Sequence, residues 1–356
     1  MLARVEKLQE KLSDLELDGL LVGHGPNRRY LSGFTGTAGW LLITQNKSFL
    51  CTDFRYVEQA GKEAVGWEIV RYKRPFTATL TPLLAENGLG RVGFEEEYLS
   101  YQDYRKLAGE ISGVEWVPCS GLVEALRRQK DETELAAIKR AAQLDDRAFA
   151  HILSYLQPGR REREIALELE FFARRHGGEG ASFDIIVASG PRSALPHGVA
   201  SDKLLQEGEF VIMDYGTVVD GYHSDFTRTV VLGEPTPEQL KVYQVVQEAQ
   251  QAAAAAVAPG RTAGEIDAIA RKIIADHGYG PHFGHGLGHG VGLCIHEGPH
   301  LAPGADTVLV PGMVVTIEPG IYLPGWGGVR IEDLVVVTET GCQVLNETPR
   351  ELIRVV

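Results

Sequence analysis

The segment 281–299 has the composition of a reactive site and not of a packed element. It places His282, His285, His289 and His296 among six glycines. Glycine weakens helices and strands and lets the backbone approach a ligand closely. Imidazoles spaced in this way can bind a metal ion or a substrate carbonyl. We therefore expect this segment to line a site, with a glycine-rich loop carrying surface histidines as the alternative.

A pair of aspartates belongs to the first of two hairpin patterns. Apolar runs lie on both sides of Asp220-Gly221, a dipeptide typical of a two-residue hairpin turn. With these residues in the turn, Asp214 lies opposite Thr227, and Asp225 is its diagonal neighbour on the same face. Two carboxylates on one apolar face repel each other unless a cation or a shared proton lies between them.

A second pair of carboxylates belongs to a similar hairpin. Glu318 and Glu332 are predicted to be placed as Asp214 and Asp225 are in the first hairpin. A single pair of acidic residues would be interpreted as strand carboxylates in structural salt bridges. Two pairs in equivalent positions of a repeat favour a functional site. Four carboxylates with an imidazole from 281–299 carry too much negative charge for one ion and suit two divalent metals.

Two such ions would give a defined chemistry. Divalent metals ~3.5–4 Å apart can hold one water between them and lower its pKa to near neutrality. The resulting hydroxide can attack a carbonyl, while a metal and a histidine stabilise the oxyanion. These residues predict metal-assisted hydrolysis, and they do not specify which bond is cleaved.

An internal repeat positions these residues. Pro-Gly-Arg triplets at 158–160 and 259–261 each precede an amphipathic helix, predicted at 162–176 and 263–277. Residues 208–216 align without gaps to residues 312–320, and further helices are predicted at 133–156 and 236–258. The pattern predicts two similar α+β halves packed about a pseudo-twofold axis, each supplying ligands to one site.

The N-terminal third has a different pattern, in which short apolar strands alternate with helices. We expect an α/β domain over 1–121 and a catalytic domain over 122–356, since 356 residues exceed one typical core. Asp53 is predicted to cap a helix that continues through residue 60. Strands are predicted at 19–23, 40–44, 48–52, 67–72, 91–94 and 114–117, with further helices at 1–17, 76–86 and 100–111.

Composition excludes several classes of protein. The chain is 44% hydrophobic and 23% charged, as in ordinary globular proteins, and no apolar run reaches the ~18 residues that span a bilayer. A net charge of −13 without a basic cluster argues against nucleic-acid binding. The N-terminus lacks the apolar core of a signal peptide, and the four cysteines are scattered without CxxC pairs. We expect a cytoplasmic protein that binds neither membranes nor nucleic acid.

These residues resemble those of the pita-bread metallopeptidases, which include methionine aminopeptidase, aminopeptidase P and prolidase. The resemblance covers the whole chain. It implies a pita-bread catalytic domain and a creatinase-like N-terminal domain that assists oligomerisation and substrate access. The ligands that it implies are Asp214 and Asp225 for one metal, His289 and Glu318 for the other, and Asp225 and Glu332 as bridges.

The resemblance also implies roles around the metals. Glu318 is the implied handler of the water proton, and His197 and His296 are the implied catalytic histidines that contact substrate. His285 is similar to a histidine that lines the substrate pocket, and Tyr322 and Arg330 are similar to residues that orient the carboxylates. Two divalent ions are implied, and the carboxylate-rich ligands favour Mn, with Co or Zn as alternatives.

Within this family the sequence favours the proline-specific branch. Cleavage of an N-terminal Xaa-Pro bond in short peptides is the implied activity, in a homodimer or higher homo-oligomer. The segment 30–39 with 52–60 is similar to aminopeptidase P, which the sequence favours by a small margin over Xaa-Pro dipeptidase, or prolidase. A catalytically silent binding protein and an enzyme acting on another small amide, as creatinase does, are more distant hypotheses for the same fold.

Overall fold

The first unit of the chain is built on one mixed sheet. The computed structural model describes residues 2–355, and the chain divides into a unit that ends at Arg127 and a unit that begins at Arg128. The strands of the first unit are β1 Gly19–Val22, β2 Trp40–Thr44, β3 Ser48–Thr52, β4 Glu68–Arg71, β5 Arg91–Glu95 and β6 Glu115–Cys119. Its helices are α1 Leu2–Asp14, α2 Gly25–Ser32, α3 Val57–Glu63, α4 Thr77–Glu86, α5 Tyr101–Glu110 and α6 Leu122–Arg127.

The order of this sheet is β4-β3-β2-β1-β5-β6. The hairpins β1–β2 and β2–β3 are antiparallel, whereas β1–β5, β5–β6 and β3–β4 are parallel. The parallel pairs require helical crossovers, which accounts for the alternation of strands and helices in the sequence. All the predicted strands of this unit are present.

One local prediction in the first unit is wrong, and one helix of this unit was not predicted. Asp53 does not cap a helix, because its carboxylate accepts hydrogen bonds from the backbone and guanidinium of Arg55, and α3 begins only at Val57. The helix α2 was not predicted. No side chain of its own caps its N-terminus, and Glu95 of β5 accepts from the backbone N–H groups of Gly23 and His24 instead.

The second unit contains two similar halves. Its helices are α7 Glu132–Ile152, α8 Glu162–Arg175, α9 Pro237–Ala256 and α10 Ala263–Asp276. The first half has strands β7 Gly180–Ala181, β8 Ile186–Ser189, β9 Phe210–Tyr215, β10 Thr217–Val219, β11 Tyr222–His223 and β12 Phe226–Leu232. The second half has β13 Gly288–Gly290, β14 Glu297–Leu301, β15 Val314–Ile317, β16 Gly320–Leu323, β17 Gly327–Arg330, β18 Asp333–Val337 and β19 Cys342–Val344, and β20 Ile353–Val355 returns to the first sheet.

Each half packs two helices on one sheet. The sheet of the first half has the order β20-β12-β9-β8, and its apolar face packs on α7 and α8. The sheet of the second half has the order β14-β13-β15-β18-β19 and shares a core with α9 and α10. The helices α7 and α9 begin with matching capping boxes, in which Asp131 pairs with Glu134 and Thr236 with Gln239.

The strand register confirms the first predicted hairpin. Asp214 lies opposite Thr227 in the antiparallel pair of β9 and β12. The turn residues Asp220 and Gly221 both have positive φ, 50° and 74°, as a two-residue turn that follows the twist of the strands requires.

The prediction that Glu332 takes the place of Asp225 is wrong. In the second hairpin Ile317 pairs with Asp333, so the next position along the ladder brings Glu318 opposite Glu332. Glu332 therefore corresponds to Thr227. The residue that corresponds to Asp225 is Arg330, which pairs with Gly320. The acidic side chain of the return strand is therefore found two residues later in the second hairpin than in the first.

Candidate metal centre

A cleft of about 690 Å³ in the second unit brings the predicted residues together. Asp214 on β9 and Arg330 on β17 line it, together with carboxylates that lie directly beside β12, β15 and β18. Of its histidines, His289 is on β13 and His300 is on β14. The predicted site residues that line it are His197, Asp214, Asp225, His285, His289, His296, Glu318, Arg330 and Glu332. Tyr322, the remaining predicted residue, is buried and hydrogen-bonded to two of them.

Three carboxylates share the centre of the cleft. One oxygen from each of Asp214, Asp225 and Glu332 lies within 4.8 Å of the others, and all three residues are buried. Burial raises the pKa of Asp225 and of Glu332 well above the usual range, and the charges of neighbouring carboxylates raise both further. Ionising these groups beside one another is therefore costly, and a cation between them would stabilise the ionised form.

Glycine allows the histidine strand to reach this centre. A Cβ at Gly288 would lie 2.0 Å from the carbonyl oxygen of Thr316, so no other residue permits this approach of β13 to β15. The backbone N–H of His289 donates to the Thr316 hydroxyl at 2.9 Å. The adjacent imidazole therefore reaches the carboxylates, which explains the glycine-rich composition of 281–299.

His289 presents a lone pair to the carboxylates. Its Nδ1 lies 3.1 Å from the carbonyl oxygen of Gly290, which assigns the proton to Nδ1. Its Nε2 lies 3.5 Å from Asp225 Oδ2 and 3.3 Å from Glu318 Oε1. Burial lowers the pKa of His289 to about 4, so the ring is neutral at pH 7. A lone pair that faces two carboxylate oxygens has no proton to offer them, and a metal ion satisfies all three atoms.

Glu318 is a buried carboxyl group that titrates near neutrality. Burial raises the pKa of Glu318 to about 7, the Arg330 charge lowers it, and the Asp214 charge raises it. The Thr316 hydroxyl donates to Glu318 Oε1 at 3.0 Å. Thr316 was not predicted, although it lies on β15 two residues before Glu318, which directly follows that strand, and the period of a strand could have identified it.

Arg330 joins the two halves of the cleft. Its Nη2 donates to Asp214 Oδ2 at 2.5 Å, its Nη1 to the Tyr322 hydroxyl at 2.7 Å, and its Nε to the Thr227 hydroxyl at 3.2 Å. The Thr227 hydroxyl donates in turn to Glu332 Oε2 at 2.7 Å. Arg330 therefore orients carboxylates from both halves, directly through Asp214 and indirectly through Thr227.

The predicted histidines occupy different positions around the carboxylates. His285 faces Tyr322, since its Nδ1 lies 2.7 Å from the Gly286 carbonyl oxygen and its Nε2 lies 3.0 Å from the Tyr322 hydroxyl. Burial lowers the pKa of His285 to about 4, so Nε2 accepts from Tyr322 at pH 7. His296 packs edge-on against His289, with ring centroids 4.5 Å apart, and His197 lies in the same cleft. His300, which the sequence assigned no role, also lines it.

The donor set fits divalent cations. Among residues 2–355, no group donates a hydrogen bond to Glu332 Oε1, although this oxygen is buried. Carboxylate oxygens with one neutral imidazole are the ligands that hard and borderline divalent metals prefer. The carboxylate oxygens and the His289 lone pair at the centre of the cleft are all acceptors, which is the arrangement a bound cation requires.

Comparisons with known proteins agree with this chemistry. The model of metallopeptidase family M24 matches residues 136–339, and the model of the creatinase/prolidase N-terminal domain matches residues 4–129. A solved Xaa-Pro dipeptidase from Bacillus anthracis is 48% identical, with a TM-score of 0.97 over 99% of both chains. The Xaa-Pro dipeptidase of Pyrococcus horikoshii is 40% identical over 98% of both chains. A solved X-Pro aminopeptidase from Thermotoga maritima is 38% identical, with a TM-score of 0.91 over 97% of this chain and 100% of that one.

The chain therefore belongs to metallopeptidase family M24. It is a hydrolase of this metal-dependent family, and the predicted fold class, with a creatinase-type N-terminal domain followed by a pita-bread catalytic domain, is confirmed. None of the helices described between residues 2 and 355 is long and apolar enough to cross a membrane.

Proposed function

We propose that this chain is an Xaa-Pro dipeptidase that hydrolyses the bond before proline with the help of two divalent metals. The observation that carries the proposal is the meeting of Asp214, Asp225 and Glu332 within 4.8 Å, beside the lone pair of His289. The comparisons support the dipeptidase over aminopeptidase P, which the sequence favoured. Among the relatives described above, two named dipeptidase are 48% and 40% identical, and one named aminopeptidase is 38% identical.

Five side chains would hold the ions. They are Asp214, Asp225, His289, Glu318 and Glu332. When bound, the ions would polarise the scissile carbonyl and lower the pKa of a water molecule. We propose Mn, with Co or Zn as alternatives, because four of the five ligands are carboxylates.

The residues of the chain contribute orientation and proton transfer. Glu318 is the proposed proton acceptor, because its buried carboxylate lies in the cleft beside His289 and the other proposed ligands. Its Oε1 is held by Thr316, which leaves Oε2 to take the proton. His197 and His296 lie in the cleft where a substrate carbonyl would approach, and we propose that they orient it.

Apolar groups in the same cleft support recognition of proline. Phe183, Ile186 and Leu301 line the cleft together with the carboxylates. A pyrrolidine ring has no N–H group and needs no hydrogen-bond acceptor, so an apolar wall suits it. The free carboxylate of a dipeptide would distinguish it from a longer peptide.

Further features of the proposal rest on resemblance and composition. We propose a homodimer or higher homo-oligomer in which the N-terminal domain, predicted over 1–121, assists assembly and limits substrate access. We also propose a cytoplasmic location, in keeping with four free thiols and no disulfide among residues 2–355. Neither nucleic acid nor membrane is a proposed partner, given the net charge of −13.

Hydrolysis of two substrates by the full-length protein tests the proposal. An Xaa-Pro dipeptide and a longer Xaa-Pro peptide are incubated with protein supplied with Mn²⁺, and with chelated protein as the control. Cleavage of the dipeptide alone supports the dipeptidase. Cleavage of the longer peptide as well would identify an aminopeptidase P and overturn the proposed specificity. Cleavage of neither substrate, with no divalent ion bound on elemental analysis, would overturn the metal-dependent function.

A further inference from the structure

Two buried polar residues occupy equivalent positions on the core helices of the second unit. Asp145 on α7 and Gln250 on α9 stand at the same distance along the chain from their N-cap residues, Asp131 and Thr236. Both side chains are 0% exposed. Neither belongs to the proposed ligand set, and each faces the strands of its own half.

Asp145 contacts the outgoing side of the first hairpin, β9 and β10, and reaches the Asp225 side only through Thr217 and Ser224. Its Oδ1 accepts from the Thr217 hydroxyl at 2.7 Å, and its main-chain carbonyl accepts from the Tyr215 hydroxyl at 2.8 Å. Tyr215 directly follows Asp214. The Thr217 backbone makes two hydrogen bonds with the Ser224 hydroxyl and accepts one from the Ser224 N–H, and Ser224 directly precedes Asp225.

The backbone is tightly packed where Gly216 passes Ser224. A Cβ at Gly216 would lie 1.9 Å from the Ser224 carbonyl oxygen. A small displacement of Ser224 would therefore be transmitted to Asp225. Burial raises the pKa of Asp145 well above its usual range, although the hydroxyls of Ser224 and Thr217 beside it lower it. Burial thus favours the neutral form of the Asp145 carboxyl group, which can donate as well as accept a hydrogen bond.

Gln250 binds the return strand of the second hairpin, whereas Asp145 binds the outgoing side of the first. Gln250 Nε2 donates to Asp333 Oδ2 at 2.7 Å. Asp333 directly follows Glu332 and is also bound by Arg228 and Arg350. Arg228 Nη1 donates to the main-chain carbonyl of Glu332 at 2.5 Å. Gln250 therefore helps to hold the strand segment that presents Glu332.

We propose that Asp145 and Gln250 are a pseudosymmetric pair of positioning residues, one for each half, which fix Asp225 and Glu332 at the spacing that two shared metal ions require. The inference rests on the proposed function, in which these two carboxylates bridge the ions. It adds residues on the core helices to the determinants of metal affinity.

The energetics of burial favour this role over simple packing. Among residues 2–355, neither Asp145 Oδ2 nor Gln250 Oε1 receives a hydrogen bond. An unsatisfied buried polar atom costs about 1–3 kcal/mol, and an apolar residue of similar shape would avoid that cost. A buried polar group at the same place in both halves is therefore expected to provide something other than stability.

Calorimetric titration of Mn²⁺ into metal-free protein tests the pair. We expect Asp145→Leu and Gln250→Leu each to weaken Mn²⁺ binding by about 10–100-fold, the range typical of residues that orient metal ligands. Asp145→Asn should bind Mn²⁺ with the affinity of the parent protein, because its amide can replace the neutral carboxyl group. Ile152→Ala, a buried change on the same helix, is the matched control: it should lower the unfolding temperature and leave Mn²⁺ affinity unchanged.

Each outcome of the titration has a defined meaning. Parental affinity in both leucine variants, with unfolding temperatures lowered as in Ile152→Ala, would overturn the pair as positioning residues. Should Asp145→Leu fail to fold, Thr217→Val removes the same hydrogen bond from the strand side and is expected to weaken binding equally. Absence of Mn²⁺ binding in the parent protein would instead overturn the proposed function, and this inference with it.

Discussion

In the first hairpin of the second unit, Asp214 faces Thr227, and Asp225 lies two residues before that threonine. In the second hairpin, Glu318 faces Glu332, and Arg330 lies two residues before that glutamate. The strands of the two hairpins pair in the same way, although the connection of the second is one residue longer. The acidic group of the return strand is moved by two positions. The first hairpin therefore has a threonine where the second has an acid, and an acid where the second has an arginine.

The difference sets the charge of the cleft. Exact symmetry would place four carboxylates around the axis without a fixed positive charge. Arg330 instead donates to Asp214 of the other half, and Thr227 donates to Glu332. Each half thus supplies both an acid and a hydrogen-bond donor for an acid of the other half. This exchange lowers the repulsion between buried carboxylates and orients them at the same time.

Removing the acid of the second return strand should have the largest effect. We expect Glu332→Gln to lower metal-dependent peptidase activity by more than about 100-fold, beyond the range typical of residues that only orient ligands. In chelator the same change should raise the unfolding temperature, because the charge of Glu332 raises the pKa of Asp225 and is itself opposed by the charges of Glu318 and Asp214. Steady-state kinetics and thermal unfolding measure the two effects.

Thr227→Val at the corresponding position of the first hairpin is the matched control. It removes one hydrogen bond to Glu332 without removing an acid, so it should reduce activity far less. Equal losses in the two variants would show that the hairpins do not differ in function.

Arg330→Met should have the next largest effect. It leaves the buried Asp214 carboxylate without its cation, and breaking a buried ion pair in this way costs about 3–5 kcal/mol of stability. Metal affinity should fall by about 10–100-fold. Urea unfolding and Mn²⁺ titration measure these changes.

Adding Asp214→Asn to Arg330→Met provides the control for stability. The double variant should unfold at a higher urea concentration than Arg330→Met, because the uncompensated charge is gone. A double variant no more stable than the single one would argue that Arg330 contributes by packing and not through its charge.

Tyr322→Phe tests the hydrogen bond between Arg330 and the Tyr322 hydroxyl. It removes the hydroxyl that accepts from Arg330 and donates to His285 Nε2. Each of the two hydrogen bonds contributes about 1 kcal/mol net, so we expect kcat/KM to fall by roughly 30-fold at most. Thr316→Val, which removes the hydroxyl beside Glu318, is a control that leaves the Arg330 contacts intact. A loss of more than about 100-fold in Tyr322→Phe would assign the hydroxyl a direct part in the reaction.

Asp145→Asn should have the smallest effect on activity and a distinct effect on stability. The folded-state pKa of Asp145 is raised above its unfolded value of 3.8, so the folded protein retains a proton that the unfolded chain releases. This stabilisation is fully present below pH 3.8 and is lost as the pH rises towards the folded pKa, by up to about 1.4 kcal/mol for each pH unit. Urea unfolding of metal-free protein at about pH 5 and about pH 7 measures it.

Asp145→Asn has no proton to lose, so its stability relative to the parent should increase as the pH rises. The same pH dependence in both proteins would show that Asp145 is ionised in the folded state.

Much of the first unit could be predicted from local patterns. The strands β2 and β3 were predicted with the bounds that the structure has. The helix α2 was missed because its N-terminus is capped by Glu95, some seventy residues further along the chain. No local pattern records a cap supplied by another strand.

The site was predictable to a similar degree. The repeat, the hairpin turn at Asp220-Gly221 and the period of the strands placed Asp214 opposite Thr227, as the structure has it. The same reasoning placed Glu332 by analogy with Asp225, and there it was wrong. The connection between the two strands is longer in the second hairpin than in the first. Counting residues from Glu318 therefore did not determine which residue of the return strand lies opposite it.

The sequence by itself determined the chemical types of the site residues, the internal repeat and the family, because these depend on residue identity and order. The tertiary structure alone decided that Arg330 takes the place corresponding to Asp225 and donates to Asp214. It also decided that His285 faces Tyr322. The hydrogen bonds of Asp145 to Thr217 and of Gln250 to Asp333 likewise depend on the tertiary structure. These contacts join segments far apart in the chain, and their geometry follows from how the two halves pack around buried charges.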